Sequence, residues 1–395
     1  MAMRWWQQSK NIYHIFQARL WSFYYGWPEK KLTIFGITGT NGKTTTSILL
    51  GNILRQSYGV EKVGLLSTIT FWVGEKEEVN ESKMTTVDSE VLFRYLQQMK
   101  KRGVKYVVLE ITSHALDQGR LHGIRLSGAI ILNVAREHLD YHKTMSAYAA
   151  AKEKIVKYLK PGAPLIGKGD DPAVSAILSR AQAQHVPTVT FTASEAQAVA
   201  TPLPGSFNKE NVLAASLLAR TIGLSEDAIR KGVATVRQIP GRLEWLKGPS
   251  GKHVVIDYAV TPDALERLYQ YVKESTNGKI FAVLGAAGLR DRGKRPLMAA
   301  AVAKYADELI LTREDPWHEP EEQIFTDLEQ GLQEATIPWQ RIVDRREAII
   351  YCVAKATPHD VVVVTGKGAE QGMGIGHHIR PWNERAIITE ILKTT

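Results

Sequence analysis

The 395-residue sequence contains one cysteine, Cys352, which excludes an intramolecular disulfide and points to a reducing compartment. No apolar run approaches the ~20 residues needed to span a bilayer, and no cleavable leader pattern opens the chain. Both absences predict a cytoplasmic protein. There is no block of like charge either: 50 basic and 41 acidic residues are spread along the chain. That distribution excludes a nucleic-acid-binding arm, while the net charge of +9 suits small anionic ligands such as nucleotides and phosphosugars. Internal repeats and low-complexity tracts are missing as well. What remains is a composition of 44% hydrophobic and 23% charged residues, that of an ordinary globular chain long enough for two or three domains.

The most informative stretch runs from Leu32 to Thr46, where an apolar segment breaks into Gly39-Thr40-Asn41-Gly42-Lys43-Thr44-Thr45. Glycines hold such a turn open so that backbone N–H groups face phosphate oxygens, and a following helix adds its positive end. Lys43 can then reach the terminal phosphates and Thr44 can ligate Mg²⁺. The spacing departs from the usual nucleotide loop: Gly36 comes one residue too early, and Ile37 stands where the first glycine belongs.

From Lys31 to about Ile239, short apolar runs alternate with helical patterns, which predicts an α/β domain with a mostly parallel sheet. Its expected strands are Leu32–Ile37, Val63–Leu66, Lys105–Ile111, Ala129–Leu132 and Thr188–Phe191. A break at Ile239-Pro240-Gly241 precedes a second, Rossmann-like alternating block over 240–395, with strands expected at His253–Asp257, Lys279–Leu284, Glu308–Leu311 and Val361–Thr365. Gly372-Met373-Gly374-Ile375-Gly376 resembles a dinucleotide fingerprint but opens no helix pattern, so it reads as a flexible loop. Residues 1–30 are dense in aromatics, from Trp5 and Trp6 to Trp27, with Ile12, Phe16, Leu20 and Tyr24 at helical spacing. Two readings stand for this amphipathic helix: packing on the domain that follows, or contact with a membrane surface or partner.

In α/β folds, ligands gather at the carboxyl ends of strands. Two segments there carry chemistry. Tyr106–Glu110 ends on a carboxylate that is costly to bury without a cation or partner. The run Asn133-Val134-Ala135-Arg136-Glu137-His138 follows another strand with several potential ligands, among which His138 is the preferred metal ligand. Lys152 lies in an alanine-rich helix, Ala147–Lys154, that permits close packing.

Taken in order, the Gly39–Thr44 loop, Glu110, Asn133–Tyr141 and Ala150-Ala151-Lys152 resemble the motifs of the Mur ligases, ATP-dependent enzymes that join an amino acid to a carboxylate on a peptidoglycan precursor. Within that family the likeness is greatest to the UDP-N-acetylmuramoyl-tripeptide synthetase branch. Phe207-Asn208-Lys209-Glu210-Asn211, Pro240-Gly241-Arg242, Ile256–Pro262, Arg290–Pro296 and Gly366-Lys367-Gly368-Ala369-Glu370 continue the match to the end of the chain. The resemblance implies ATP and Mg²⁺ as cofactors and two small-molecule substrates, a muramyl-peptide acceptor and an amino acid, with the enzyme a monomer. It places Thr40, Asn41, Gly42, Lys43, Thr44, Thr45, Asn208, Asn211, Arg242 and Asp257 on the nucleotide. Thr44 and Glu110 would hold one metal ion, and His138 with a CO₂-carbamylated Lys152 a second. Lys43, His138, Lys152 and Arg242 would form the catalytic set. Thr85, Thr86, Ser113, His114 and Arg120 would meet the acceptor. Arg292, Asp315, Trp317, Gly366 and Glu370 complete the substrate set.

Two departures from the family stand out. Family members carry a uridine-nucleotide domain before the loop, and the residues before Gly39 are too few to form one, so either a reduced nucleotide pocket or a lipid-linked acceptor is expected. An Asp-Asn-Pro-Arg motif that grips diaminopimelate is replaced by Glu314-Asp315-Pro316-Trp317. Trp317 cannot pair with a carboxylate, whereas Glu370 could meet a distal ammonium, so a diamino acid such as lysine is expected without excluding diaminopimelate. The alternatives are a ligase like the lipid-precursor amidotransferase subunit, a folylpolyglutamate-synthase-like ligase, and a nucleotide-binding scaffold without activity.

Overall fold

The alternation of apolar runs and amphipathic helices produces two α/β units in the computed structural model, which describes residues 2–394 and the side chains of residues 11–394. The first unit comprises residues 1–134 and 144–237, and the second comprises 135–143 and 238–395. The aromatic residues 1–30 therefore belong to the first unit rather than standing apart. The short excursion carrying His138 belongs to the second.

The first unit is built on an eight-stranded sheet in the order β4-β3-β2-β5-β1-β6-β7-β8. Its strands are β1 (Thr33–Thr38), β2 (Val63–Leu66), β3 (Thr70–Val73), β4 (Lys76–Val79), β5 (Tyr106–Glu110), β6 (Leu126–Ile131), β7 (Leu165–Lys168) and β8 (Thr188–Phe191). β2, β5, β1, β6, β7 and β8 run parallel. Parallel neighbours need helical crossovers that cover both faces, which is why β1 and β5 are almost entirely apolar and buried. The β3 and β4 strands form an antiparallel edge that sequence reading missed. β4, Lys-Glu-Glu-Val, is exposed and polar, without the apolar pattern of a core strand. Gly36, too early for the phosphate loop, lies inside β1 as the expected strand Leu32–Ile37 has it, where a Cβ would sit 2.8 Å from Ile111 and Leu126. Its role is close strand packing.

Helix α1 (Ala2–Tyr24) packs on α3 (Ser89–Lys101) and α4 (Ser113–Gln118). Trp5 and Trp6 lie outside the described side chains. The face that packs is not the one its spacing predicts. Ala18 and Ser22 are buried, and Trp21 and Tyr25 pack against the core. Ile12, Phe16, Leu20 and Tyr24 point to solvent. The register is fixed by Asn11 donating to the Asp117 carbonyl at 3.0 Å and by Ile15 resting against Gly119.

The second unit carries a six-stranded sheet, β13-β12-β11-β14-β10-β9, made of β9 (Glu244–Lys247), β10 (His253–Asp257), β11 (Ile280–Leu284), β12 (Glu308–Leu311), β13 (Trp339–Arg341) and β14 (Val361–Thr365). All pairs are parallel except β9 with β10. The glycine cluster expected to be a loop forms a separate antiparallel hairpin, β15 (Gly372–Ile375) with β16 (His378–Pro381). Alternate residues of β15 are glycine, which hides the strand from periodicity. Gly36→Val should destabilise the first unit by roughly 1–3 kcal/mol through overpacking, read as a lowered denaturant midpoint at unchanged slope; an unchanged midpoint would refute the packing role.

Candidate active site

In the first unit the turn after β1 is held open from two sides. The Asn133 side chain, just past β6, accepts from the N–H groups of Thr40 and Asn41 at 3.0 and 2.8 Å and donates back to the Asn41 carbonyl at 3.2 Å. On the other side, Gly42 caps α2 (Lys43–Tyr58) with φ 82, a left-handed conformation that glycine adopts without strain. A Cβ there would collide with Asn211 Oδ1. Asn211 in turn donates to Asn208 Oδ1 at 3.1 Å and accepts from Thr46 at 3.3 Å. The two asparagines expected at the nucleotide thus buttress the loop. Lys43 bends back to the Thr40 carbonyl at 2.8 Å, and Thr45 is buried in the first turn of α2.

Glu110, at the end of β5 next to β1, is buried and gathers hydroxyls around itself. Its Oε1 accepts from Thr44 at 3.0 Å and from Thr68 at 2.9 Å, and its Oε2 accepts from the Thr68 N–H at 2.8 Å. One carboxylate with convergent hydroxyl oxygens is a hard-donor set that fits Mg²⁺. Among the described residues no group of three or more His, Cys, Asp or Glu forms a self-sufficient metal centre, consistent with a cation shared with phosphate oxygens. Thr68 was not anticipated from the sequence; it follows β2 without a motif, yet its hydroxyl also shares a 3.0 Å hydrogen bond with that of Thr85. Thr86 donates to the Glu110 carbonyl and accepts from the Thr112 N–H. Arg120 donates to the Thr86 carbonyl at 3.1 Å. Ser113 and His114 open α4, with Thr112 as its cap. The acceptor-side residues therefore line up beside the Glu110 strand end.

Lys152 is 1% exposed. Its ammonium donates to the Gly39 carbonyl at 2.7 Å and lies 4.5 Å from the Tyr148 ring centre. Tyr148, also missed by sequence reading, shares a 3.1 Å hydrogen bond with Thr40. Loop and lysine helix are thus joined at two points.

In the second unit, His138 adopts a left-handed conformation with φ 56 before a short helical turn. Its neighbour Glu137 binds Lys294 through both oxygens at 2.9 Å. The basic run after β11 is therefore not a solvated turn: Lys294 and Arg295 are buried, Arg295 pairs with Glu319 and Asp327, and Arg292 holds Asp327 through two 2.9 Å bonds. Arg292, expected on the substrate, makes this pair with its side chain 56% exposed. Arg242 stacks 4.3 Å from the Tyr258 ring. Asp257 accepts from the N–H groups of Leu243 and Ala259 at 2.6 and 2.7 Å. Burial raises its pKa, and Arg242 offsets part of that rise.

Asp315 and Glu370 converge on Lys367, which stands between Gly366 and Gly368. Lys367 has no exposed side-chain surface and bonds Asp315 at 2.9 Å and Glu370 at 2.5 Å. Burial opposes its charge, but Glu370 and Asp315 hold its pKa above the ordinary value. Tyr258 donates to Glu370 at 3.2 Å. Glu314 lies buried against Gly366, with Oε2 lacking a hydrogen-bond partner. Trp317, at φ 51, exchanges backbone hydrogen bonds with Gly374 and Gly376 and lays its indole where a Gly374 Cβ would be. Here the tryptophan anchors the hairpin.

Two family models match the chain: the Mur ligase middle domain over residues 37–200, and the glutamate ligase domain of Mur ligases over 241–368. The UDP-N-acetylmuramoyl-L-alanyl-D-glutamate--2,6-diaminopimelate ligase of Geobacillus kaustophilus is 34% identical across 94% of this chain and 81% of its own length. This chain belongs to the Mur ligase family. The enzyme of that name from Bacillus cereus is equally similar, 34% identical over 95% of this chain and 81% of its own. A solved ligase of the same name superposes with a TM-score of 0.60 at 30% identity, covering 96% of this chain and 82% of that one. Folylpolyglutamate synthase of Mycobacterium tuberculosis, with ADP, gives a TM-score of 0.70 at 16% identity over 89% and 91% of the two chains, and shares the fold. The Mur ligase is an ATP-dependent acid–amino-acid ligase, with Mg²⁺ as the family's metal.

Burial, with Asp315 alongside, pushes the Glu314 pKa up to about 7 from an ordinary 4.5. The folded chain then keeps a proton that the unfolded chain releases earlier, so this residue makes stability fall as pH rises from 4.5 to about 7 and adds no slope above. Glu314→Gln should remove that part of the decline in thermal melting of the intact protein; identical pH slopes for both proteins would refute it.

Proposed function

We propose that this Mur ligase extends a muramyl-dipeptide acceptor by one diamino acid through an acyl phosphate. The observation that carries the reading is the convergence of the Thr40–Thr45 loop, Glu110 and buried Lys152 beside the acceptor-side threonines. The acceptor carboxylate would attack the γ-phosphorus of ATP, forming a carboxyl–phosphate bond and releasing ADP. The amine of the amino acid would then attack the acyl carbon, lose a proton and expel phosphate. Both steps bring anions together, so positive charge must offset their repulsion. Lys43, released from the Thr40 carbonyl, and Arg242 would supply it at the transferred phosphoryl group. Mg²⁺, held by Thr44 and Glu110, would neutralise phosphate charge.

Lys152 is buried beside the loop, and addition of CO₂ to its amine would form a carbamate. Carbamylation would turn it into a carboxylate, a donor that suits a second cation. The ligase would work as a monomer on small-molecule substrates. Its acidic surplus around Lys367, from Glu314, Asp315 and Glu370, favours an incoming amino acid whose far end is an ammonium. Diaminopimelate, which the relatives' names give as their substrate, has an ammonium and a carboxylate at that end.

Release of ADP and phosphate should require ATP, a muramyl-dipeptide acceptor and one amino acid from a panel of lysine, ornithine and diaminopimelate. No turnover with any pairing, on nucleotide-linked or lipid-linked acceptors, would reject the reading. Lys43→Ala and Lys152→Ala should each lower kcat by about a hundredfold or more, with melting temperature as the control for folding. A short carboxylic acid added to Lys152→Ala should restore part of the activity if the working group is the carbamate.

A further inference from the structure

Helix α1 turns two unlike faces outward and inward. At about 100° per residue, Ile12, Phe16, Leu20, Phe23 and Tyr24 fall within an arc of roughly 120°. All five are exposed, Phe16 and Phe23 by 63% each, and Trp27 continues the patch beyond the helix. Seven of the seventeen large hydrophobic side chains exposed among the described residues lie between Ile12 and Trp27, and the other ten are scattered over the chain. So dense an apolar strip on a surface marks an interaction site.

The strip cannot be withdrawn by rolling the helix, because the opposite face is committed. Ala18 is fully buried, Ser22 Oγ donates to the buried Glu29 at 2.8 Å, and Tyr25 reaches Glu90 at 3.4 Å. The protein therefore presents this face at the cost of leaving it wet.

Charge decides what covers it. The first 28 residues contain no aspartate or glutamate, and Glu29 is buried. Arg19, Lys30 and Lys31 are exposed along the strip, with Lys30 4.9 Å from the Trp27 ring centre. Lys100 donates to the Gly26 carbonyl, and Lys101 and Arg102 next to it are exposed. A second copy laid on the same patch would bring these cations face to face. Aromatic rings between apolar side chains, rimmed by lysine and arginine, match a headgroup layer in which rings sit at the acyl boundary and ammonium groups meet phosphates. No helix among the described residues is long and apolar enough to cross a bilayer, so the contact is with the surface. We propose that α1 and the Gly26–Lys31 turn dock this protein on an anionic lipid surface. The inference does not depend on the acceptor assigned above.

The intact protein should co-sediment with vesicles containing phosphatidylglycerol, and at least about tenfold more weakly with phosphatidylcholine vesicles, since each basic side chain near an anionic surface contributes roughly fivefold. Phe16→Ser/Leu20→Ser/Phe23→Ser, at exposed positions, should lose tenfold or more of the binding while keeping the parent melting temperature. Lys30→Glu/Lys31→Glu should erase most of the preference for the anionic vesicles. Trp27 lies in the patch, so a blue shift of tryptophan emission on adding anionic vesicles, absent in the triple variant, would support insertion. Wild-type protein left in the supernatant with every vesicle, or a triple variant that pellets like wild type, would overturn the proposal. So would a wild-type dimer that the triple variant dissociates without any lipid binding, which would assign the strip to a second copy.

Discussion

Two asparagines and a missing side chain hold the phosphate loop. Asn133 binds both sides of the turn, accepting two N–H groups and donating to a carbonyl, while Asn211 occupies the space that any side chain at position 42 would need. The turn is thereby fixed from the end of β6 on one side and from helix Ser206–Thr221 on the other. Lys43, Thr44 and the Lys152 contact with Gly39 all take their positions from this clamp.

The second unit depends on a different principle. Its interior holds buried ion pairs, Arg345 with Glu384, Lys367 with Asp315 and Glu370, and Lys294 with Glu137. Such pairs seldom add net stability over apolar packing, but removing one partner strands a charge. They fix orientation instead. Arg345 also caps the end of β14 through the Thr365 carbonyl at 2.7 Å, which sets the direction of Gly366, Lys367 and Glu370. Burial first, and Asp315 beside it second, raise the pKa of Glu314 in that cluster.

Much of this was legible from residue order. Strands Val63–Leu66, Thr188–Phe191, His253–Asp257, Glu308–Leu311 and Val361–Thr365 lie where apolar runs place them, because a strand covered on both faces writes a continuous apolar signature. The edge strand Lys76–Val79 and the glycine-rich hairpin do not write one, since their stability comes from pairing rather than burial. In the site, Thr44, Glu110 and Lys152 were readable because a carboxylate or lysine at a strand end or in an alanine-rich helix is chemically conspicuous. Thr68 and Tyr148 were not, because a threonine or tyrosine in such a place is unremarkable until the fold brings it to Glu110 or Thr40. Helix α1 misled for a third reason. Its most regular apolar spacing belongs to the face that stays wet, while the buried face includes Ala18 and Ser22.

The excursion of residues 135–143 has a topological consequence. The backbone passes from one unit to the other at 134/135, at 143/144 and again at 237/238, so neither unit is a contiguous fragment. A gene truncated after residue 237 would encode the first unit with a foreign loop still attached. A gene beginning at residue 238 would encode a second unit lacking Glu137, with the buried ammonium of Lys294 left without its carboxylate. No single cut of the chain therefore yields both units whole.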